Sequence, residues 1–104
     1  MKNSKRQPLK SRVARPVRTV TFSLHNGEAR HVCLAGTFND WNAEATPLHQ
    51  NGNQAWVEHV ELPPGTHEYQ FVVDGRWMPD PQAAESVPNP FGGVNSVLRI
   101  AAEV

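Results

Sequence analysis

The sequence contains a single cysteine, Cys33, and no apolar run that approaches the ~18–20 residues of a membrane-spanning helix. One cysteine cannot form an internal disulfide, which is typical of a reducing compartment. The charged start, residues 1–6, resembles the beginning of a signal peptide, but no apolar stretch follows it. These absences predict a cytoplasmic protein with no membrane partner.

Basic residues are nearly absent beyond the first eighteen positions. Seven of the ten lysines and arginines lie before residue 19, whereas all ten acidic residues come later. Residues 19–104 therefore carry three basic and ten acidic groups, a balance of −7. Because an acidic surface repels a phosphate backbone, we expect no nucleic-acid partner.

The basic segment at the start, residues 1–16, has almost no apolar content and two prolines. Such a segment cannot bury enough apolar surface to offset the entropy lost on ordering. We predict that residues 1–16 form a disordered leader and that residues 17–104 form one domain. The alternative for the leader is a docking segment for an acidic partner surface.

Beyond residue 16 the pattern is that of an antiparallel β protein. Val20, Phe22 and Leu24 alternate with polar residues, which is the period of a half-buried strand. Val32, Leu34 and Gly36 form the next inward row. Further strands are predicted over residues 55–62, 67–73 and 94–100.

Four turn signals separate these strands, namely Asn26-Gly27, Asn51-Gly52, Pro64-Gly65 and Asp74-Gly75. The first pair is suited to the positive φ angles of a tight hairpin, so we expect a hairpin there. About seven short strands joined by tight turns, without a long helical period, predict an all-β sandwich.

One segment carries a family resemblance. Residues 34–41 read LAGTFNDW, which resembles the "G-(S/T)-F-N-x-W" segment of family 48 carbohydrate-binding modules. These include the glycogen-binding domain of the AMP-activated protein kinase β subunit and the N-terminal modules of branching and debranching enzymes. The resemblance continues through residues 62–77, Asp80-Pro81 and residues 91–98, in the expected order.

The resemblance implies an immunoglobulin-like sandwich that binds α-1,4-linked glucan in a shallow surface site, without a cofactor. Trp41 and Trp77 would stack against sugar rings, and Phe91 would form an apolar wall. The side-chain amides of Asn95 and Gln70 would form hydrogen bonds with sugar hydroxyls.

Two positions depart from the kinase-type modules, which have a lysine where this chain has Gln70 and a hydroxyl residue where it has Gly93. These departures imply one weakened and one lost hydrogen bond. They leave open an alternative function as a protein–protein interaction module with a vestigial sugar site, using residues 1–16 or a sandwich edge.

The positions of the tryptophans support the sugar-binding hypothesis independently of the family resemblance. Trp41 follows the loop sequence Asn39-Asp40, and Trp77 lies two residues beyond the Asp74-Gly75 turn, so neither occupies a core row. Trp56 begins a strand and is predicted to be core. A flat indole left at the surface can cover the apolar face of a pyranose ring. Packing at the ends of the sandwich is the alternative for Trp41 and Trp77.

No catalytic or metal site is expected. A glycosidase needs two carboxylates on opposite sides of the scissile bond, whereas Asp74 and Asp80 occupy turn-forming positions. The five histidines show no metal-ligand spacing. Cys33 has no flanking features of a reactive thiol and is predicted to be structural.

Overall fold

The computed structural model describes residues 17–52 and 54–102, so the predicted leader, residues 1–16, lies outside the described residues. The described residues form eight strands: β1 Arg18–His25, β2 Val32–Gly36, β3 His49–Gln50, β4 Ala55–Leu62, β5 Gly65–Val73, β6 Arg76–Met78, β7 Glu85–Pro88 and β8 Val94–Ile100. A 3-10 turn, Thr37–Asn39, follows β2. The described ranges hold no helix with the length and apolarity needed to span a bilayer.

The strands form two antiparallel sheets, which confirms the predicted all-β sandwich. The smaller sheet has the order β1-β4-β3, with β1 and β4 paired from Arg18 opposite Leu62 to His25 opposite Ala55. The larger sheet has the order β2-β5-β8-β7, and β6 also pairs with β5.

Strand β5 organises the larger sheet. Strand β2 runs along one side of its second half, from Tyr69 to Val73. On the other side, β8 pairs with residues 65–69 and β6 pairs with residues 71–73. The short strand β6 therefore occupies the stretch of β5 that β8 leaves open, and it brings Trp77 opposite Val72.

The core lies between the two sheets and follows the alternation of the sequence. The smaller sheet contributes Phe22, Leu24, Trp56 and Leu62, and the larger sheet contributes Val32, Leu34, Tyr69, Phe71 and Val73. The Phe22 and Tyr69 rings meet edge to face across the gap, with centroids 5.0 Å apart. Burial of each large side chain stabilises the fold by roughly 1.5–3 kcal/mol.

The turn predicted at Asp74-Gly75 is confirmed, and it joins β5 and β6 as a hairpin with φ angles of 50° and 85°. The hairpin predicted at Asn26-Gly27 is wrong, because β1 pairs with β4 whereas β2 belongs to the other sheet. The Asn26 side-chain oxygen instead accepts hydrogen bonds from the backbone N–H groups of Glu28 and Ala29. The turn therefore carries the chain from one sheet to the other.

Strand β7 lies within a proline-rich stretch, residues 79–90, whose sequence shows no strand alternation. Among the described strands it pairs only with β8, and it ends at Pro88. Proline cannot donate to a central ladder, but an edge strand tolerates it.

Candidate functional site

The outer face of the larger sheet, which points away from the core, carries most of the predicted site residues. Gln70 and Val72 alternate with the core residues of β5, so their side chains point to this outer face. Val72 is opposite Cys33 on one side and Trp77 on the other, and Gln70 is opposite Ala35. We call this surface the outer face.

The loop after β2 is fastened by Asn39. The Asn39 side-chain oxygen accepts a hydrogen bond from the Gly36 backbone N–H at 3.0 Å. The Asn39 side-chain nitrogen donates to the Leu34 carbonyl at 2.9 Å and to the Thr46 hydroxyl at 3.0 Å. One amide thus joins the end of β2, the 3-10 turn and the segment that returns along β2.

This loop turns Trp41 onto the outer face. Asp40 and Trp41 both have a φ of 58°, and the Trp41 backbone N–H donates to the Gly36 carbonyl at 2.9 Å. A left-handed conformation is unusual for a bulky residue and costs on the order of 1–3 kcal/mol. The hydrogen bonds of the loop and the contacts of the indole offset this cost. The half-buried Trp41 ring covers a small cluster of Cys33, Ala35 and Val72.

The structure brings Trp41 and Trp77 together. Their ring centroids lie 6.4 Å apart and their planes are inclined by 31°. Trp77 is 47% exposed and Trp41 is half-buried, so both rings reach solvent. The two residues are 36 positions apart in the sequence, and they form one continuous aromatic surface.

Asp74 holds the hairpin that carries Trp77. Its carboxylate accepts hydrogen bonds from the backbone N–H groups of Arg30 and His31 at 3.0 and 2.9 Å. The Asp74 backbone N–H also donates to the His31 carbonyl. This carboxylate therefore ties the β5–β6 turn to the start of β2.

Asp80 is likewise engaged in structure. Its carboxylate accepts a 2.6 Å hydrogen bond from the Tyr69 hydroxyl and a second from the Gln82 backbone N–H. Burial raises the pKa of Tyr69 well above its usual value, and the hydrogen bond and negative charge of Asp80 raise it further. The contact fixes the chain after β6 against β5.

Phe91 lies at the tip of a loop between β7 and β8 and is 92% exposed. The Asn89 side-chain oxygen accepts hydrogen bonds from the backbone N–H groups of Phe91 and Gly93, at 2.9 and 3.1 Å. Within the described part of the chain, Phe91 makes no ring contact with either surface tryptophan. We call residues 89–93 the Phe91 loop.

Gln70 and Asn95 are also brought together, but Asn95 is only 9% exposed. Its side-chain oxygen accepts hydrogen bonds from the amide nitrogens of Gln70 and Asn89, at 2.9 and 3.1 Å. Its side-chain nitrogen donates to the Glu68 carboxylate at 3.1 Å. Asn95 is thus the central member of a polar network on the outer face.

Sequence reasoning missed Asn89 and Glu68 as members of this network. The signal for Asn89 was its place before Pro90, since Asn-Pro pairs favour turns. Glu68 could have been found from its period-two relation to Gln70, which puts both side chains on one face of β5.

Trp56 and Cys33 are both buried, as the sequence predicts for a core residue and a structural cysteine. Trp56 is 7% exposed, and its indole N–H donates to the Asn26 carbonyl at 3.0 Å. Cys33 is 1% exposed, and burial raises the pKa of its thiol, with a smaller contribution from the charge of Glu44. Across residues 17–52 and 54–102, no three His, Cys, Asp or Glu residues are grouped so as to hold a metal ion.

Comparison with known proteins identifies the family. A family model described as "Glycogen recognition site of AMP-activated protein kinase" matches residues 18–104. The chain is 36% identical over 74 residues to 5'-AMP-activated protein kinase subunit beta-1 of Sus scrofa, covering 71% of this chain and 57% of that protein. It is 38% identical over 74 residues to the beta-1 subunit of Bos taurus, again covering 71% of this chain.

The beta-2 subunit of Mus musculus is 34% identical over 71 residues, which is 68% of this chain. The match spans only 26% of the Bos taurus subunit and 25% of the Mus musculus subunit, so the chain corresponds to about a quarter of these relatives. The family match covers every strand of the sandwich and both surface tryptophans. This chain belongs to the family of AMP-activated protein kinase glycogen recognition domains.

Proposed function

We propose that this domain binds α-1,4-linked glucan, such as glycogen or starch, on its outer face and catalyses no reaction. The observation that carries the proposal is the contact between Trp41 and Trp77, whose centroids are 6.4 Å apart at the protein surface. Family membership supports the same ligand, because the matching family is described as a glycogen recognition site.

The tryptophan pair suits a sugar chain because a pyranose ring has an apolar C–H face and a rim of hydroxyls. Each indole can bury one such face while the hydroxyls remain in water or meet side-chain amides. The 31° inclination between the ring planes is compatible with a ligand that bends. Successive units of an α-1,4-linked chain turn relative to one another, so such a chain can follow the two rings.

We expect the affinity to be low. Each stacking contact contributes roughly 1–2 kcal/mol after the costs of association. Two such contacts and a few hydrogen bonds give about 4–7 kcal/mol, which corresponds to a Kd from about millimolar to about ten micromolar. Weak binding is sufficient for a polymer that offers many identical sites, because avidity multiplies it.

The two aspartates that flank Trp77 in the sequence, Asp74 and Asp80, support a binding role and not hydrolysis. A glycosidase places two carboxyl groups across the scissile bond, one of them as a proton donor. Asp74 and Asp80 instead accept hydrogen bonds that hold the chain around Trp77. Both carboxylates have structural partners, and we propose that neither acts on a substrate.

Titration with maltoheptaose, followed by tryptophan fluorescence and backbone amide shifts, tests the proposal. We expect saturable changes at Trp41, Trp77 and Gln70, and none with a β-1,4-linked oligosaccharide of the same length. Trp41→Ala and Trp77→Ala should each weaken binding at least tenfold, with far-UV circular dichroism unchanged. Thr21→Ala, on the smaller sheet, is the matched control and should bind normally. Absence of saturation by about ten millimolar maltoheptaose would overturn the proposal.

A protein partner is a second proposal, supported by the names of the relatives, which are subunits of a kinase. The segments that we propose for such contacts are residues 1–16, with their basic charge, and β1, which is an edge strand of the smaller sheet in the described part of the chain. Copurification of the full chain and of a chain lacking residues 1–16, from the same cells, tests the leader. Equal recovery of the same partner with both chains would exclude it as the docking segment.

A further inference from the structure

A chain of side-chain amides crosses the outer face next to the tryptophans. Gln70 lies opposite Ala35, which Trp41 covers. From Gln70 the hydrogen bonds run to Asn95 and then to Asn89, and a branch runs from Asn95 to Glu68. Four side chains from β5, β8 and the Phe91 loop are therefore linked into one network.

The direction of these hydrogen bonds is imposed by groups at the ends of the network. The Asn89 side chain faces two backbone N–H groups, which can only donate, so its oxygen must point toward them. Its nitrogen therefore points toward Asn95. At the other end the Glu68 carboxylate, when ionised, can only accept, so it requires the Asn95 nitrogen.

These two requirements agree at Asn95. Its nitrogen faces Glu68, and its oxygen faces the donors from Asn89 and Gln70. The Gln70 amide must then turn its nitrogen toward Asn95. The Gln70 oxygen accepts no hydrogen bond from the described part of the chain, and one N–H each of Gln70 and Asn95 has no acceptor there.

We propose that Asn89 and Glu68 are positioning residues that hold the Asn95 and Gln70 amides in one orientation, so that Gln70 offers its carbonyl oxygen to a sugar hydroxyl. The inference rests on the proposed glucan binding. It specifies an acceptor at position 70, whereas the lysine of kinase-type modules can only donate. Position 70 therefore presents an acceptor that a lysine lacks, and a sugar hydroxyl can donate to it.

The variant Asn89→Asp tests the orientation of the Asn95 amide without removing the hydrogen bonds that hold the Phe91 loop. An aspartate keeps an oxygen for the N–H groups of Phe91 and Gly93 but loses the nitrogen that donates to Asn95. Its second oxygen would face the Asn95 oxygen and repel it. We expect the backbone amide shifts of Phe91 and Gly93 to persist, the side-chain amide shifts of Asn95 to change, and maltoheptaose affinity to fall about three- to tenfold.

The matched control is Asn26→Asp. The Asn26 oxygen likewise accepts two backbone N–H groups, from Glu28 and Ala29, but its nitrogen has no side-chain partner among the described residues. The same charge change there should leave affinity within about twofold of wild type. Glu68→Ala is a second test, should Asn89→Asp fail to fold. It removes the other anchor and should also shift the Asn95 side-chain amide and weaken binding.

The outcomes separate this inference from the proposed function. Wild-type affinity in Asn89→Asp and Glu68→Ala, measured on a domain that binds maltoheptaose, would overturn the positioning role alone. Unchanged Asn95 side-chain amide shifts in both variants, measured without sugar, would overturn the fixed orientation. Failure of the wild-type chain to bind maltoheptaose would overturn the proposed function and the sugar-facing role of Gln70. In that case the Asn95 side-chain amide shifts, measured without sugar, would still decide whether the amides have a fixed orientation.

Discussion

A Cβ atom on Gly36 would lie 2.6 Å from the backbone oxygen of Glu68 and 2.7 Å from the Phe38 ring. Backbone oxygen cannot move away without disturbing β5, so the strand end must be a glycine. Gly36 has a φ of −167°, so the requirement is one of space and not of backbone conformation. The close approach lets the loop after β2 fold over the sheet and deliver Trp41.

We therefore predict that Gly36→Ala destabilises the domain by about 1–3 kcal/mol, because the methyl group forces β2 away from β5. Urea unfolding monitored by circular dichroism measures the change. Gly93→Ala is the control, because a Cβ atom there meets nothing closer than 3.6 Å. If the Gly36 variant and the wild type had the same free energy of unfolding, the close approach of β2 and β5 would not require glycine, and the prediction would be wrong.

Because Trp41 covers the cluster that contains Cys33, the reactivity of the Cys33 thiol reports whether the loop after β2 holds the indole in place. Burial raises the pKa of the Cys33 thiol, and the ring of Trp41 covers its cluster. We predict that the native thiol reacts slowly with a disulfide reagent and that Trp41→Ala accelerates the reaction at least several-fold.

The matched variant is Trp77→Ala, which removes an indole of the same size from β6, a strand that pairs with β5 and not with the strand of Cys33. Its thiol should react at close to the wild-type rate. Equal acceleration by both variants would indicate general loosening of the sheet instead of local uncovering by Trp41.

The hydrogen bond from Tyr69 to Asp80 predicts a loss of stability in alkali. The folded-state pKa of Tyr69 is raised above its ordinary value of 10.0, so the folded protein holds this proton more tightly than the unfolded chain. The corresponding stability is present below pH 10 and is lost as the pH rises above it.

Tyr69→Phe should reduce stability at neutral pH by about 1–3 kcal/mol, because Asp80 loses its hydroxyl donor. The variant should also show a smaller decline of stability above pH 10 than the wild type. Chemical unfolding at several pH values measures both effects. An identical alkaline decline in the two proteins would assign it to other groups.

The Phe91 loop has room for a Cβ atom at position 93, where kinase-type modules carry a hydroxyl residue. A Cβ atom on Gly93 would lie 3.6 Å from the Asn89 side-chain nitrogen, an ordinary contact, and Gly93 is not among the positive-φ glycines. We predict that Gly93→Thr raises maltoheptaose affinity about three- to fivefold by adding one hydrogen bond.

Gly93→Val is the isosteric control, because valine has the same branching without the hydroxyl. It should bind no more tightly than wild type. Isothermal titration calorimetry or amide-shift titration measures all three proteins. A gain shared by threonine and valine would point to a stiffer loop and not to a hydrogen bond with sugar.

Local patterns predicted most strands but not their partners. The alternation of Val20, Phe22 and Leu24 correctly predicted β1, because successive side chains of a strand point to opposite faces and this pattern is local. The Asn26-Gly27 pair wrongly indicated a hairpin, because a turn sequence carries no information on which sheet the next strand joins. In the structure β1 pairs with β4, and Phe22 and Leu24 are buried between the two sheets.

The polar part of the candidate site was predicted incompletely for a similar reason. Asn95 and Gln70 were named from a resemblance, but the burial of Asn95 depends on neighbours from three separate segments. Strand β7 and Asn89 lie in a stretch with four prolines that shows no period-two alternation, so the sequence did not predict them. The role of Asn89 follows only from contacts across the Phe91 loop.

The amino-acid sequence alone determined that this is an all-β domain, that Trp56 is interior, and that Trp41 and Trp77 fall outside the core rows. Those properties depend on period-two alternation and turn chemistry, which act over a few residues. Only the tertiary structure decided that the two tryptophans touch and that Asn95 is enclosed by Gln70, Asn89 and Glu68. Such contacts join residues far apart in the chain, and they exist only once β5 has acquired its neighbours on both sides.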